Sequence, residues 1–161
     1  MTPITAVLHT QNDALRLGRC LEMLLPCDEV FIVDHGSQDG TLDLAREYGA
    51  SVLLAEKYPT PLRYLSELRR IPSRWLLVVD PRESLTESLA ASLYEWKSEA
   101  AANRRSGAVY LREETAEGWI QVPVAQTRLV PATWERWQGT FPADDREAVI
   151  LEGELLRFAF P

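Results

Sequence analysis

Asp28-Glu-Val-Phe-Ile-Val-Asp-His-Gly-Ser-Gln-Asp-Gly-Thr-Leu42 is the stretch on which the reading of this chain turns. Glu29–Val33 is a short apolar run rich in β-branched and aromatic residues, the mark of a buried strand. It stops at Asp34-His35-Gly36-Ser37, where charge and glycine replace the apolar pattern. Ser37 or Asp39 stands where a cap is needed for a helix over Gly40–Tyr48, and Gly49 supplies the left-handed stop behind it. A strand passing through a short polar loop into a helix is half of a βαβ unit.

The same rhythm extends outward on both sides. Ile4–His9 reads as a buried strand ending in Thr10-Gln11-Asn12, with Asn12 the expected N-cap of a helix over Asp13–Leu25. Leu17, Leu21, Leu24 and Leu25 share one face of that helix, and Pro26 follows it. Ser51–Leu54 is a short strand, Leu62–Ile71 has helical spacing, and Trp75–Val79 is an apolar strand with Asp80 directly after it. Ser84-Leu-Thr-Glu87 has the spacing of a capping box before a helix to about Asn103, with Ala100–Arg105 as its end and loop.

Alternating strands and helices with near-continuous apolar strands predict an α/β fold, a mostly parallel sheet with helices on both faces. Beyond Gly107 the texture becomes β-rich. Ala108–Arg112, Trp119–Val122, Thr127–Val130, Ala148–Leu151 and Leu155–Phe160 read as short strands between Gly, Pro and charged turns. One domain over 1–161 is expected, with 1–83 as one half and 84–161 as a helix plus the β-rich remainder.

The formal charge of −7 denies the chain the basic footprint that DNA or RNA would need. No apolar run approaches the ~18 residues of a membrane span, and the N-terminus lacks the pattern of a signal peptide, so a protein that is cytoplasmic, or attached to a membrane only through a partner, is expected. Cys20 and Cys27 read as reduced packing residues, and with only His9 and His35 besides there is no zinc spacing.

Open parallel sheets bind ligands at the carboxyl ends of their strands. Those ends carry Thr10-Gln11-Asn12, Asp34-His35-Gly36-Ser37, Glu56-Lys57 and Asp80-Pro81-Arg82-Glu83. Caps and turns account for Asn12, Gly36, Ser37 and Ser84 without a ligand. They account less well for Asp34 and Asp80, each placed directly after an apolar strand.

Ile4-Thr-Ala-Val-Leu-His-Thr-Gln-Asn-Asp13, Gly18-Arg-Cys-Leu-Glu22 and the 28–42 stretch together resemble the opening of a family 2 glycosyltransferase. Leu44–Val52 also fits, and Trp75-Leu-Leu-Val-Val-Asp-Pro-Arg-Glu83 resembles the strand bearing that family's Asp-Ala-Asp-Glu motif. Gln126-Thr-Arg-Leu-Val130 and Glu152-Gly153 resemble segments of the lipopolysaccharide-core branch. The resemblance implies the GT-A fold, a nucleotide-sugar donor, and a glycan or lipid-linked acceptor. It implies a base and ribose site at Thr10, Asn12, Asp34, Gly36, Ser37 and Asp39, with Asp80 beside the ribose and a diphosphate-bound Mg²⁺ or Mn²⁺.

Three departures mark this chain. Arg82 stands where the family has its second metal-binding aspartate, beside Glu83. A guanidinium cannot ligate a cation; it either pairs with phosphate and replaces the metal, or pairs with Asp80, Glu83 or Glu87 in a decayed site. Val124 occupies the position of the family's catalytic aspartate, leaving Glu113 and Glu114, with Glu117 nearby, as candidates for a base. The basic and asparagine residues that the family carries before the fourth strand have no fixed counterpart here: Arg63, Arg69 and Arg70 are candidates for them or belong to a solvated helix face. Trp119, Trp134 and Trp137 offer faces for sugar stacking, for packing of the tail, or for an oligomer or partner contact. An active transferase, a nucleotide-sugar-binding module without turnover, and an interaction protein with an empty cleft are the three functions to be separated.

Overall fold

The computed structural model describes residues 2–55, 66–67, 75–99 and 106–161. Glu56, Lys57, Arg63, Arg69, Arg70 and the 100–105 loop lie outside these residues. So does the helix expected over Leu62–Ile71, except that Ser66 and Glu67 are helical.

The first half follows the predicted alternation: β1 (Ile4–Thr10), α1 (Ala14–Glu22), β2 (Glu29–Asp34), α2 (Thr41–Glu47), β3 (Ser51–Leu54) and β4 (Trp75–Val78). Gly49 has φ +76°, the left-handed stop behind α2. The second half holds β5 (Glu83–Leu85), α3 (Glu87–Ser98), β6 (Gly107–Thr115), β7 (Gly118–Trp119) and β8 (Val124–Pro131). It ends in the β9 (Trp137–Gln138) and β10 (Phe141–Pro142) hairpin and β11 (Val149–Arg157).

Two boundaries differ from expectation. Ser84 is not the cap of α3, because residues 83–85 pair with β11 as a strand; Thr86 takes that place and accepts from Leu89 N at 3.3 Å. The two strands expected over 148–160 are one, β11, whose register with β6 shifts between Ile150 and Glu154. Gly153 makes that bulge possible with φ +97°. A Cβ there would lie 2.2 Å from Leu89 N, so α3 begins hard against the bulge.

One sheet in the order β3-β2-β1-β4-β8-β6-β11-β5, with β7 on β6, runs through both halves. β1 to β4, β6 and β11 run one way, and β5, β7 and β8 run against them. In this order β5 is separated from β4 by three strands, about 19 Å in a flat sheet. The chain from Val78 to Glu83 could span about 17 Å if fully extended, and it turns instead, with Glu83 N donating to Asp80 O. The sheet therefore curls, bringing its far edge back beneath the end of β4.

All three described helices feed the same core face, through Leu17, Cys20 and Leu21 of α1, Ala45 of α2, and Leu89, Leu93 and Trp96 of α3. The opposite face, Val7, Val33, Leu76, Val78 and Val130, is covered by Trp134, Trp137 and Phe141. Trp119 sits elsewhere, edge-on to Phe158. The three tryptophans thus pack the tail and form no shared platform. Lys97 Nζ, buried in α3, reaches Pro26 O and Asp28 Oδ2, both at 2.9 Å, tying the helix to the β1–β2 side. Both cysteines are free thiols, and burial raises their pKa values, that of Cys27 to about 12. No helix among the described residues is long and apolar enough to cross a membrane.

Candidate functional site

β1 and β2 run parallel in register, pairing Thr10 with Asp34, so their loops leave the sheet side by side. Thr10 and Asp34 are each 1% exposed. The Asp34 carboxylate organises its loop. Oδ1 accepts from the hydroxyls of Thr10 and Ser37, both at 2.6 Å, and Oδ2 from the backbone N–H of Gly36 and Ser37. Burial opposes the charge, but the Ser37 and Thr10 hydroxyls and these amides outweigh it and hold the pKa below the ordinary value. Gly36 has φ +84°, which lets the loop fold back over the carboxylate.

Asn12 locks the two loops together. Its N–H donates to Ser37 Oγ at 2.9 Å, and its Oδ1 accepts from Gln38 N at 2.8 Å. For this it takes a left-handed φ of +56°, so it is not the N-cap expected of α1. Asp39 serves both helices instead. Its Oδ2 accepts from Ala14 N at the start of α1, and its Oδ1 from Thr41 N and Oγ1 at the start of α2. The Thr41 hydroxyl hydrogen bond above all lowers its pKa. Thr10, Asn12, Asp34, Gly36, Ser37 and Asp39 thus form one interlocked clasp. The Asp34 carboxylate, expected to face a base edge, is engaged within it.

The outward face of the same rim carries a pair that the sequence reading did not single out. His9 Nδ1 and His35 Nε2 are 2.9 Å apart, with their rings stacked. Burial and the neighbouring His35 lower the His9 pKa to about 4, against a smaller opposing pull from Asp80. The signal available in the sequence was parity: both histidines lie next to a rim residue on strands now known to be register partners.

At the end of β4, Arg82 folds back on Asp80. Its Nε donates to Oδ1 at 2.9 Å and its Nη2 to Oδ2 at 3.2 Å, and its backbone N–H also reaches Oδ1. Burial works against the Asp80 charge, and the Arg82 hydrogen bonds outweigh it and lower the pKa. Arg82 keeps Nη1 outside this fork, and its side chain is 45% exposed.

Glu83 points the other way and is 0% exposed. Oε1 accepts from Asp80 N and Arg128 Nη1, both at 2.8 Å; Oε2 accepts from Arg128 Nη2 at 2.9 Å and from Arg157 Nε and Nη2 at 3.0 and 2.7 Å. A Mg²⁺ or Mn²⁺ ion needs carboxylate oxygens free to face it. Asp80 is forked by a cation and Glu83 is enclosed by two, so these residues do not fit a divalent ion. Among the described residues no group of three or more His, Cys, Asp or Glu is arranged for one.

The two base candidates separate in space. Glu113 Oε1 lies 3.4 Å from Arg157 Nη1, next to the network beneath Asp80. Glu114 accepts from Ala159 N, where it fastens the last residues. Glu117 lies in the β6–β7 turn, and Val124 is exposed at the start of β8. Arg128 and Arg157, which the sequence reading left without roles, build the floor under the turn. An arginine inside a strand that is otherwise buried is the signal that a carboxylate partner lies opposite.

No family model matches the chain. It is 32% identical over 98 residues to the lipopolysaccharide core biosynthesis glycosyltransferase LpsC of Rhizobium meliloti, covering 58% of this chain and 36% of that protein. The chain thus spans about a third of that relative's length. Among solved structures it resembles glucosyl-3-phosphoglycerate synthase from Mycobacterium tuberculosis, solved with Mn²⁺, UDP-glucose and phosphoglyceric acid. The TM-score is 0.51 at 18% identity, covering 71% of this chain and 45% of that one. S. aureus TarS 1–349, solved with UDP-GlcNAc, gives a TM-score of 0.50 at 19% identity, covering 71% and 34%. The strand order, the polar rim and these likenesses agree: the chain has the GT-A fold of the glycosyltransferases and is related to them in sequence.

Proposed function

We propose that this chain binds a nucleotide-sugar donor on the β1–β2–β4 rim and passes the sugar to a glycan or lipid-linked acceptor. The observation that carries the reading is the Asp34-centred clasp, a rigid polar loop pair at the carboxyl ends of parallel strands, beside Asp80. Thr10, Asn12, Asp34, Gly36, Ser37 and Asp39 give the nucleotide loop its shape, and Gly36 lets a base or ribose approach the backbone. In place of Mg²⁺ or Mn²⁺, Arg82 meets the diphosphate with its outward Nη1 edge while Asp80 holds the other edge. As the acceptor oxygen bonds to the anomeric carbon, the bond to the diphosphate breaks. The acceptor proton passes to the Glu113 carboxylate, and the departing charge rests against Arg82. On this reading the protein works in the cytoplasm, where a nucleotide-sugar donor is at hand.

One observation favours a second reading, binding without turnover. Glu113 is the only carboxylate of the Glu113–Glu114 pair near the network, and Arg157 is already beside it. The test is calorimetry with UDP, GDP, ADP and CDP, with and without Mn²⁺, followed by an assay of sugar release from the donor that binds. The reading predicts binding of one diphosphate without Mn²⁺ and release that Glu113→Gln abolishes. Binding with no release would establish the second reading, and no binding of any diphosphate would overturn both.

A further inference from the structure

A pocket of about 400 Å³ opens between β8, the β9–β10 hairpin and the end of β11. Its walls include Gln126, Arg128, Gln138, Phe141, Asp144 and Arg157. The β4–β8 register runs antiparallel through Leu77↔Leu129, Arg128 Nη1 donates to Val78 O, and Arg128 and Arg157 both donate to Glu83, which accepts from Asp80 N. The pocket therefore adjoins the Asp80–Arg82 turn on the side away from the β1–β2 clasp.

Its two arginines have different standing. Arg128, 1% exposed, spends every guanidinium N–H on Val78 O, Glu83 and the Gln126 carbonyl oxygen, with its plane over the Phe141 ring at 4.3 Å. It is part of the wall. Arg157 gives Nε and Nη2 to Glu83 and only a 3.4 Å contact from Nη1 to Glu113. Each of its terminal nitrogens thus keeps an N–H uncommitted among the described residues. Arg128 and Arg157 share the buried Glu83 carboxylate, and Glu113 lies beside Arg157, so the network's charges balance and the uncommitted N–H groups of Arg157 are what it offers the pocket.

The remaining wall groups are those that read hydroxyls. Gln126 has its oxygen on Arg128 and its NH₂ left to donate. Gln138 is exposed on the hairpin, and Asp144 accepts from Thr127 N through Oδ1, leaving Oδ2 as an acceptor. Carboxylate and amide groups along one wall suit the hydroxyls of a sugar ring, and one partly committed guanidinium suits an anion on it.

We infer that this pocket binds the acceptor through an anionic sugar, a sugar acid or sugar phosphate, with Arg157 on the anion and Gln138 and Asp144 on its hydroxyls. This rests on the transferase reading for the word acceptor, but the pocket and its ligand class stand on the residues alone.

The test is two-dimensional NMR on the full chain, following the side-chain amides of Gln126 and Gln138 and the backbone amides of Gly36 and Gln38. The probes are glucuronate, glucose 6-phosphate, glucose and UDP. Glucuronate or glucose 6-phosphate should move the two glutamine amides saturably, and glucose should bind about tenfold more weakly, the weight of one charge-assisted hydrogen bond. Arg157→Gln should abolish that difference. Gln138→Ala, an exposed position outside the ion-pair network, should weaken binding several-fold with an unchanged melting temperature. Glutamine amides unmoved by either anion, glucose binding as well as glucuronate, or Gln138→Ala without effect would each overturn the inference. UDP movement of Gly36 and Gln38 without anion binding would sink the pocket alone. Anion binding without any nucleotide response would support the pocket and sink the transferase reading.

Discussion

Glu83 and Arg128 lie on strands β5 and β8, which β6 and β11 separate in the sheet, yet they meet in a two-pronged ion pair of 2.8 and 2.9 Å. Only a sheet that curls can bring these strands within side-chain reach. The pair is fully buried, 0% and 1% exposed, and a buried pair is more costly to break than it is stabilising to have. Its value here is positional, because Glu83 also accepts from Asp80 N and so sets the turn that carries Arg82.

Replacing Glu83 by Ala leaves the buried Arg128 without a counter-charge and Arg157 with only Glu113 at 3.4 Å. Stability should fall by about 3–5 kcal/mol. Urea unfolding followed by tryptophan fluorescence measures this. Glu83→Gln should fall between the variant and the parent, since it keeps one acceptor for Arg128. Equal stability of Glu83→Ala and the parent would show that the network is not closed in solution.

Gly153→Ala tests the bulge. A methyl group there meets Leu89 N at 2.2 Å, on a backbone with φ +97°. Overpacking and strain together should cost about 2–4 kcal/mol. The loss should appear in thermal unfolding, and circular dichroism of the surviving native state should show reduced helix content as the start of α3 is pushed off β11.

Stability should depend on pH through His9. In the unfolded chain this ring takes a proton near pH 6.5, while in the folded protein it does so only near 4. Between these values the unfolded state binds the extra proton, so stability falls as pH drops from about 6.5 to about 4. The carboxylates with lowered pKa values, Asp34, Asp80 and Asp28, add their loss only below about pH 4. Melting temperatures of the parent and His9→Gln across this range should diverge above pH 4, with the variant flatter.

Arg82→Ala separates phosphate contact from base contact. If Arg82 meets the diphosphate, the variant should lose about tenfold in affinity for the nucleoside diphosphate and nothing for the bare nucleoside. Arg82→Lys should recover little, because an ammonium cannot hold Asp80 and a phosphate with two edges at once. Calorimetry with both ligands reads the difference. Equal losses for nucleoside and diphosphate would put Arg82 in the turn's architecture only.

Much of this fold was legible because its parallel strands are buried on both faces. Glu29–Val33 and Trp75–Val79 read as plain apolar runs, and the polar residues that follow them fall on one rim by topology alone. Other features were hidden for particular reasons. Thr86 rather than Ser84 caps α3, because residues 83–85 are claimed by β11, a pairing across some seventy residues of sequence. The two expected strands at the end merge, because Gly153 looks like a break and acts as a bulge. Asp34 was legible as a rim residue but not in its orientation, since the hydroxyls that surround it come from Thr10 on another strand as well as from its own loop. Arg128 and Arg157 could not be matched to Glu83 without the curl of the sheet.

The clasp of Asn12, Asp34, Ser37 and Asp39 has a kinetic side. Its polar side chains satisfy one another before any ligand arrives, so the loops gain little from a ligand's help in ordering. The entropy of fixing them is met during folding and is absent from the binding step. A nucleotide should therefore dock fast and with a small heat-capacity change. Damage to the clasp should show first as slowed association, while the choice among bases changes less.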